Sequence, residues 1–92
     1  MPVKRCILPG KKIASLGQFY DEIARQLRFP PHFGRNLDAL RDLLTGNIKG
    51  PVEIVWEDAE ESAARMGADF NRLLETLRDV ATERDDLTLT LR

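Results

Sequence analysis

The sequence predicts an α/β domain of two layers: a three-stranded parallel sheet in the order 1-2-3, with about four helices lying mainly on one face. Three observations carry that prediction. Short β-type runs stand at the start, middle and end of the chain, and the apolar residues between them recur with helical period. Such alternation implies a parallel sheet. Right-handed crossovers between strands taken in chain order put both sets of helices on one side. The last run alternates leucine with threonine, so one face of the sheet is packed and the other meets water.

The first strand is expected over Val3 to Leu8, beginning after Pro2 and stopped by the turn pair Pro9-Gly10. In "SLGQFYDEIARQLRF" the residues Leu16, Phe19, Tyr20, Ile23 and Leu27 fall at helical spacing. Ser15 with Gln18 three residues on marks the start of that helix as a capping box, and Pro30-Pro31 stops it. The second helix runs from about Asn36 to Thr45, with Asn36 as N-cap and Gly46 as the C′ residue. "PVEIVW", Pro51 to Trp56, is rich in strand formers and makes the second strand. A short third helix spans roughly Asp58 to Met66 and ends at Gly67. A fourth runs from a cap at Asp69 to about Thr82, burying Phe70, Leu73, Leu74, Leu77 and Ala81. The third strand, Leu87 to Leu91, packs its leucines and exposes Thr88 and Thr90.

Composition narrows the function classes. At 92 residues the chain is expected to form one domain, residues 1–92, with one modest core. Acidic and basic residues are nearly balanced, 15 against 14, and are mixed along the chain, which argues against a nucleic-acid binder held by phosphate contacts. No apolar run approaches the roughly 18–20 residues of a membrane span. The apolar run Cys6-Ile7-Leu8 falls short of the ~7–15 residues of a signal-peptide core. The single cysteine, Cys6, excludes an intramolecular disulfide and reads as a small buried hydrophobe in a reducing compartment. One cysteine and one histidine leave no zinc site of the usual kind, and no cofactor is expected.

The chemistry concentrates in "FPPHFGRNLDALRDLLTG", Phe29 to Gly46. On a wheel of about 100° per residue, Leu37, Leu40, Leu43 and Leu44 form the buried face of its helix, and Asp38, Asp42 and Thr45 cluster on the exposed side. Two like charges four residues apart repel by a few tenths of a kcal/mol. Asp38, in the first turn, is offset by the helix dipole; Asp42 is too far along to share that benefit. Arg41 lies one turn from Asp38 and is expected to pair with it. The entering loop is stiffened by two prolines and holds His32 and Phe33 beside the acids. Phe33 fits a packing residue near the helix start, and His32 an exposed loop position. A rigid loop with aromatic groups next to carboxylates suits capture of a cationic surface.

This stretch resembles the signature of the barstar family, the intracellular inhibitors of secreted bacterial ribonucleases. The match lies in the proline and aromatic positions of the loop, Gly34, Asn36-Leu37-Asp38-Ala39-Leu40, Asp42 and Leu44-Thr45-Gly46; "PVEIVWED" and "DDLTLTL" extend it. The resemblance implies a barstar-like fold in which the second helix and its loop plug a nuclease's active site. Carboxylates there take the place of RNA phosphates. It also implies a cytoplasmic protein, monomeric when free, that binds a small basic, barnase-like ribonuclease in a 1:1 complex, with no direct nucleic-acid or membrane contact. Asp42 matches the family's dominant charged anchor and Asp38 its neighbour. Gly34, Asn36 and Gly46 match the binding loop and helix ends, and Asp79 falls where the family carries a peripheral glutamate. The chain departs from the pattern with His32 in place of a tyrosine, Arg41 of an aromatic residue, Asn47 of a tryptophan and Arg35 of an acid. Arg35 and Arg41 thus add two positive charges on or near the expected face.

Two other function classes stay open. An enzyme using His32 with Asp38 or Asp42 for acid–base work lacks a nucleophile pairing, a metal cluster and a glycine-rich phosphate loop. An interaction or regulatory module of the same fold, binding a partner that is not a ribonuclease, is favoured by Arg35 and Arg41.

Overall fold

Strands and helices alternate along residues 3–92, the residues that the computed structural model describes, in the order the periodicities require. β1 (Lys4–Pro9) is followed by α1 (Leu16–Leu27), α2 (Leu37–Asp42) and a π-helical turn, Leu43–Asn47. β2 (Val52–Glu57) is followed by α3 (Ala59–Met66), α4 (Ala68–Glu83) and β3 (Leu87–Leu91). The sheet is parallel throughout and its order is β1-β2-β3. Cys6 stands opposite Ile54 and Ile54 opposite Leu89; Leu8 stands opposite Trp56 and Trp56 opposite Leu91. Pro2, expected to bound the first strand, lies outside the described residues, and the strand itself begins at Lys4 rather than Val3.

Side chains alternate across a strand, so one face of the sheet collects Cys6, Leu8, Val52, Ile54, Trp56 and Leu87. All six belong to the buried core cluster. α1 adds Phe19, Tyr20, Ile23 and Leu27, and α4 adds Phe70, Leu73, Leu77 and Val80. Each apolar side chain of this size contributes about 1.5–3 kcal/mol on burial. Trp56 lies at the centre, stacked on Phe19 at 5.3 Å and meeting Phe70 edge-on at 5.0 Å. Its indole Nε1 donates to Ser62 Oγ at 3.1 Å, and Ser62 donates to the Gly10 carbonyl at 2.9 Å, so both polar groups are satisfied inside the core. A Cβ at Gly10 would run into the Glu57 and Asp58 carbonyls, so only glycine fits this approach of two chain segments. Cys6 is fully buried as expected, and burial pushes its thiol up to about 12.

The opposite face carries Arg5, Ile7, Glu53, Val55, Thr88 and Thr90, with Val55 buried at its centre. Both threonines are exposed, as their alternation requires. The leucines between them are not equivalent, which corrects the expectation that all three pack. Leu87 is buried and Leu89 half-buried, but Leu91 is 39% exposed. β3 is an edge strand, and beyond Leu87 its leucines line an open groove against Arg78, Ala81 and Thr82 of α4. At the other edge the Gln26 side chain of α1 acts as a missing strand. Its Oε1 accepts from the Ile7 N–H at 2.8 Å and its Nε2 donates to the Ile7 carbonyl at 2.6 Å.

The capping box forms. Ser15 Oγ accepts from Gln18 N at 3.2 Å, and Gln18 reaches back to the Ala14 N–H at 2.7 Å, one residue before the cap. α1 ends at Leu27 with Arg28 left-handed (φ 56°), just ahead of the two prolines. α4 differs at two points. It starts at Ala68 behind Gly67, so Asp69 is a first-turn acid paired with Arg72 rather than the cap. Its buried stripe takes Val80, while Leu74 and Ala81 are half-buried. Among the described residues no helix is long and apolar enough to cross a membrane.

Candidate partner-binding site

Asn36 opens α2 as its sequence position predicts. Its extended backbone (φ −147°, ψ 170°) lets Oδ1 accept from Ala39 N at 2.8 Å, while Nδ2 donates to the Gly34 carbonyl at 3.2 Å. One side chain thereby fixes both the helix start and the loop before it. The buried side of the helix, Leu40, Leu43 and Leu44, anchors it to the core, with Leu37 half-buried at the entry. Asp38 and Asp42 are left on the outer side, exposed and one turn apart, and neither makes an ion pair among the described residues.

The expected Asp38–Arg41 pair does not form. Arg41 turns instead to α4, where Nη1 lies 3.6 Å from Asp79 and Nη2 pairs with Glu83. Two carboxylates outweigh one, and α2 packs beside α4. Arg35 is likewise drawn away. It sits left-handed (φ 51°), pairs with Asp21 of α1 and donates to the Gly17 carbonyl at 3.4 Å; its guanidinium lies 6.0 Å from the Tyr20 ring centre. Both arginines that departed from the barstar pattern are therefore matched by acids of neighbouring helices. The outer face of α2 keeps its two unneutralised carboxylates.

His32 is exposed on the loop, next to the prolines. Phe33 is half-buried and packs against the core, as expected of a packing residue. Its ring meets Tyr20 at 5.7 Å and Phe29 at 5.0 Å, both edge-on, and Tyr20 in turn meets Phe19 at 5.9 Å. A continuous run of rings thus ties the loop to the Trp56 core. Beyond Asp42 the helix does not close at Gly46 as expected. Leu43–Asn47 form a π-helical turn that Ile48 ends by donating to the Leu43 carbonyl at 3.1 Å. Gly46 lies inside the turn, and among the described residues Gly67 is the glycine with positive φ. Thr45 Oγ1 donates to the Arg41 carbonyl at 2.8 Å, a back-bond that loosens regular helix. Gly46 and Asn47 are exposed at the end of the turn.

The structure thus brings Asp38, Asp42, Thr45, Gly46 and Asn47 onto one outer stretch, with Arg41, Asp79 and Glu83 along one flank. Asp21 and Glu83 escaped the sequence reading. Glu83 had a faint signal, since it lies four residues after Asp79 and so on the same side of α4; Asp21 had none. Among the described residues no group of three histidine, cysteine or carboxylate side chains is placed to hold a metal ion.

A family model described as "Barstar (barnase inhibitor)" matches residues 3–92. A protein of Bacillus subtilis (strain 168), named "Putative ribonuclease inhibitor YrdF", is 31% identical over 84 residues, which cover 91% of this chain and 92% of that one.

Proposed function

The chain belongs to the barstar family, and on that footing we propose that it inhibits a bacterial ribonuclease by laying α2 and the preceding loop over the enzyme's catalytic cleft. The observation that carries this reading is the pair Asp38 and Asp42, exposed and, among the described residues, unpaired, on a helix whose arginine and the arginine of the loop before it are engaged elsewhere. A cleft that binds RNA phosphates presents cationic groups, and carboxylates one turn apart take the phosphates' place. The mild repulsion within the pair turns into attraction once several cations face it. Asp42 is the central anchor and Asp38 its neighbour. His32, Gly34 and Asn36 line one end of the contact, and Thr45, Gly46 and Asn47 the other. Phe33 and Arg35 act from behind by holding the loop, and Asp79 is a peripheral group. The partner is a small basic ribonuclease, bound 1:1 by an inhibitor that is monomeric when free. The protein itself is not an enzyme, works in the cytoplasm as an immunity factor and needs no cofactor, nucleic acid or membrane.

A second reading is favoured by Arg41. Its guanidinium, held by Asp79 and Glu83 on the flank of α2, stays half-exposed, and an interaction module of this fold with a non-ribonuclease target would present it to an acid on the partner. Titration of the purified protein against small basic ribonucleases, read by calorimetry and by RNA cleavage, separates the two. The inhibitor reading expects one-to-one binding, loss of cleavage and no cleavage by the protein alone. Failure to inhibit any such enzyme, including one encoded nearby, overturns it.

A further inference from the structure

The π-helical turn after α2 leaves carbonyls that the helix does not use, and one side chain from the far end of the fold collects two of them. Arg84, the residue that closes α4, donates Nη1 to the Leu44 carbonyl at 2.6 Å and to the Ile48 carbonyl at 2.8 Å. Its other edge grips Asp86, Nε to Oδ1 at 2.9 Å and Nη2 to Oδ2 at 3.0 Å. The Arg84 side chain is only 12% exposed. Charge-assisted, bidentate bonds of this kind are among the strongest available to a protein. Asp86 also lies against Gly50, its carboxylate filling the space that a Cβ there would need. The hydrogen bonds from Arg84 hold the Asp86 carboxyl below its ordinary value. One guanidinium thus joins the end of α2, the approach to β2 and the approach to β3.

We propose that Arg84 is a positioning residue for target recognition: by holding the Leu44 and Ile48 carbonyls it sets where Thr45, Gly46 and Asn47 stand at the end of the recognition helix. This rests on the reading of α2 as the recognition element. Arg84 acts through the backbone of Leu44 and Ile48, so it leaves the charge of Asp38 and Asp42 untouched. The Leu44 side chain is fully buried and keeps the turn docked without it. What is lost with Arg84 is the π-type winding, a feature that recurs at functional sites. Lysine cannot replace it, since a single ammonium cannot reach two carbonyls and a carboxylate in a fixed plane.

The test uses the full chain with Arg84→Gln, Arg84→Lys and the milder Asp86→Asn. Amide hydrogen exchange in the free protein reads the clamp directly. The Ile48 amide is expected to exchange about tenfold faster or more in both Arg84 variants, while Ile54 in β2 moves much less. Against a small basic ribonuclease, dissociation is expected to quicken about tenfold, with the association rate and its salt dependence unchanged. Asp86→Asn, which keeps the carbonyl bonds, falls between. Full rescue by Arg84→Lys, or exchange that rises equally at Ile48 and Ile54, overturns the proposal. So does a dissociation rate that stays at the wild-type value. If Asp42→Ala abolishes binding and Arg84→Gln leaves it intact, only the positioning role falls; if neither variant affects binding, the recognition reading falls with it.

Discussion

Asp42 and Asp38 look alike on the helix surface, yet they answer to different forces. Asp38 is a first-turn acid behind the Asn36 cap, where the helix dipole stabilises a carboxylate by about 0.3–1 kcal/mol. Asp42 ends the α-helical part and gains nothing from that end of the dipole. Asp42→Ala should therefore leave the urea midpoint unchanged or slightly raised. Its cost falls on binding, typically about 2–5 kcal/mol for a buried interfacial charge, a range to which the prototype complex of this family itself contributes. Asp38→Ala should lose less binding and a few tenths of a kcal/mol of stability. Calorimetry and denaturant titration of both variants check this, and an unfolded but still binding Asp42→Ala would overturn the reading of α2. Arg41 gives the sign test. Its pairs with Asp79 and Glu83 are half-exposed, so their loss costs about 0–1 kcal/mol of stability. Arg41→Ala frees two further carboxylates and should speed association with a basic enzyme, most at low salt. A slower association instead would mark a target that carries an acid opposite Arg41. These partners could not be read from the sequence. Asp21 and Glu83 stand 14 and 42 residues from the arginines they hold, and only the fold, which lays the loop before α2 beside α1 and packs α2 against α4, brings them together.

Elements were legible where their signals are local. Ser15 with Gln18, Asn36 at its cap and the alternation of Leu87 to Leu91 each act within a few residues; the structure realises both caps and the strand, with the leucines covered only at its start. The π-helical turn was not legible: the bonds made around it, Thr45 folding back on Arg41 and Arg84 arriving from α4, include one from 40 residues away. Nor did alternation reveal how far along β3 the helical layer reaches. That reach makes a graded prediction. Leu87→Ala should cost about 2–5 kcal/mol, the usual toll of emptying a buried leucine site. Leu91→Ala, at a largely open position, should cost well under half as much, with Leu89→Ala between them. Equal losses in a denaturant titration would mean that the strand is covered evenly.

The molecule as a whole followed from the order of its periodicities, since strand–helix alternation leaves few arrangements once crossovers are right-handed. Its response to acid depends on groups scattered over it. Arg84 holds Asp86 below its ordinary 3.8, and the Gln26 amide, ahead of Arg25, holds Glu22 below its ordinary 4.5. Both carboxylates release their protons more readily folded than unfolded. Their contribution is therefore complete above the unfolded values and is lost as pH falls through the lower folded ones. Midpoints should decline between about pH 5 and pH 3, and Asp86→Asn should flatten part of that decline. A wild-type midpoint that stays level would contradict both shifts. Gln26 has another consequence at this scale. By occupying the Ile7 N–H and carbonyl it blocks the middle of one border of the sheet, whereas nothing hydrogen-bonds to the outer border of β3 among the described residues. A sheet with two open borders can add copies without limit; a sheet with one can add a single copy and stop. Strand addition is thus hindered at the Ile7 position of β1 and open along β3. Gln26→Ala uncovers the β1 border, and on prolonged incubation at high concentration light scattering should climb faster for the variant than for the parent.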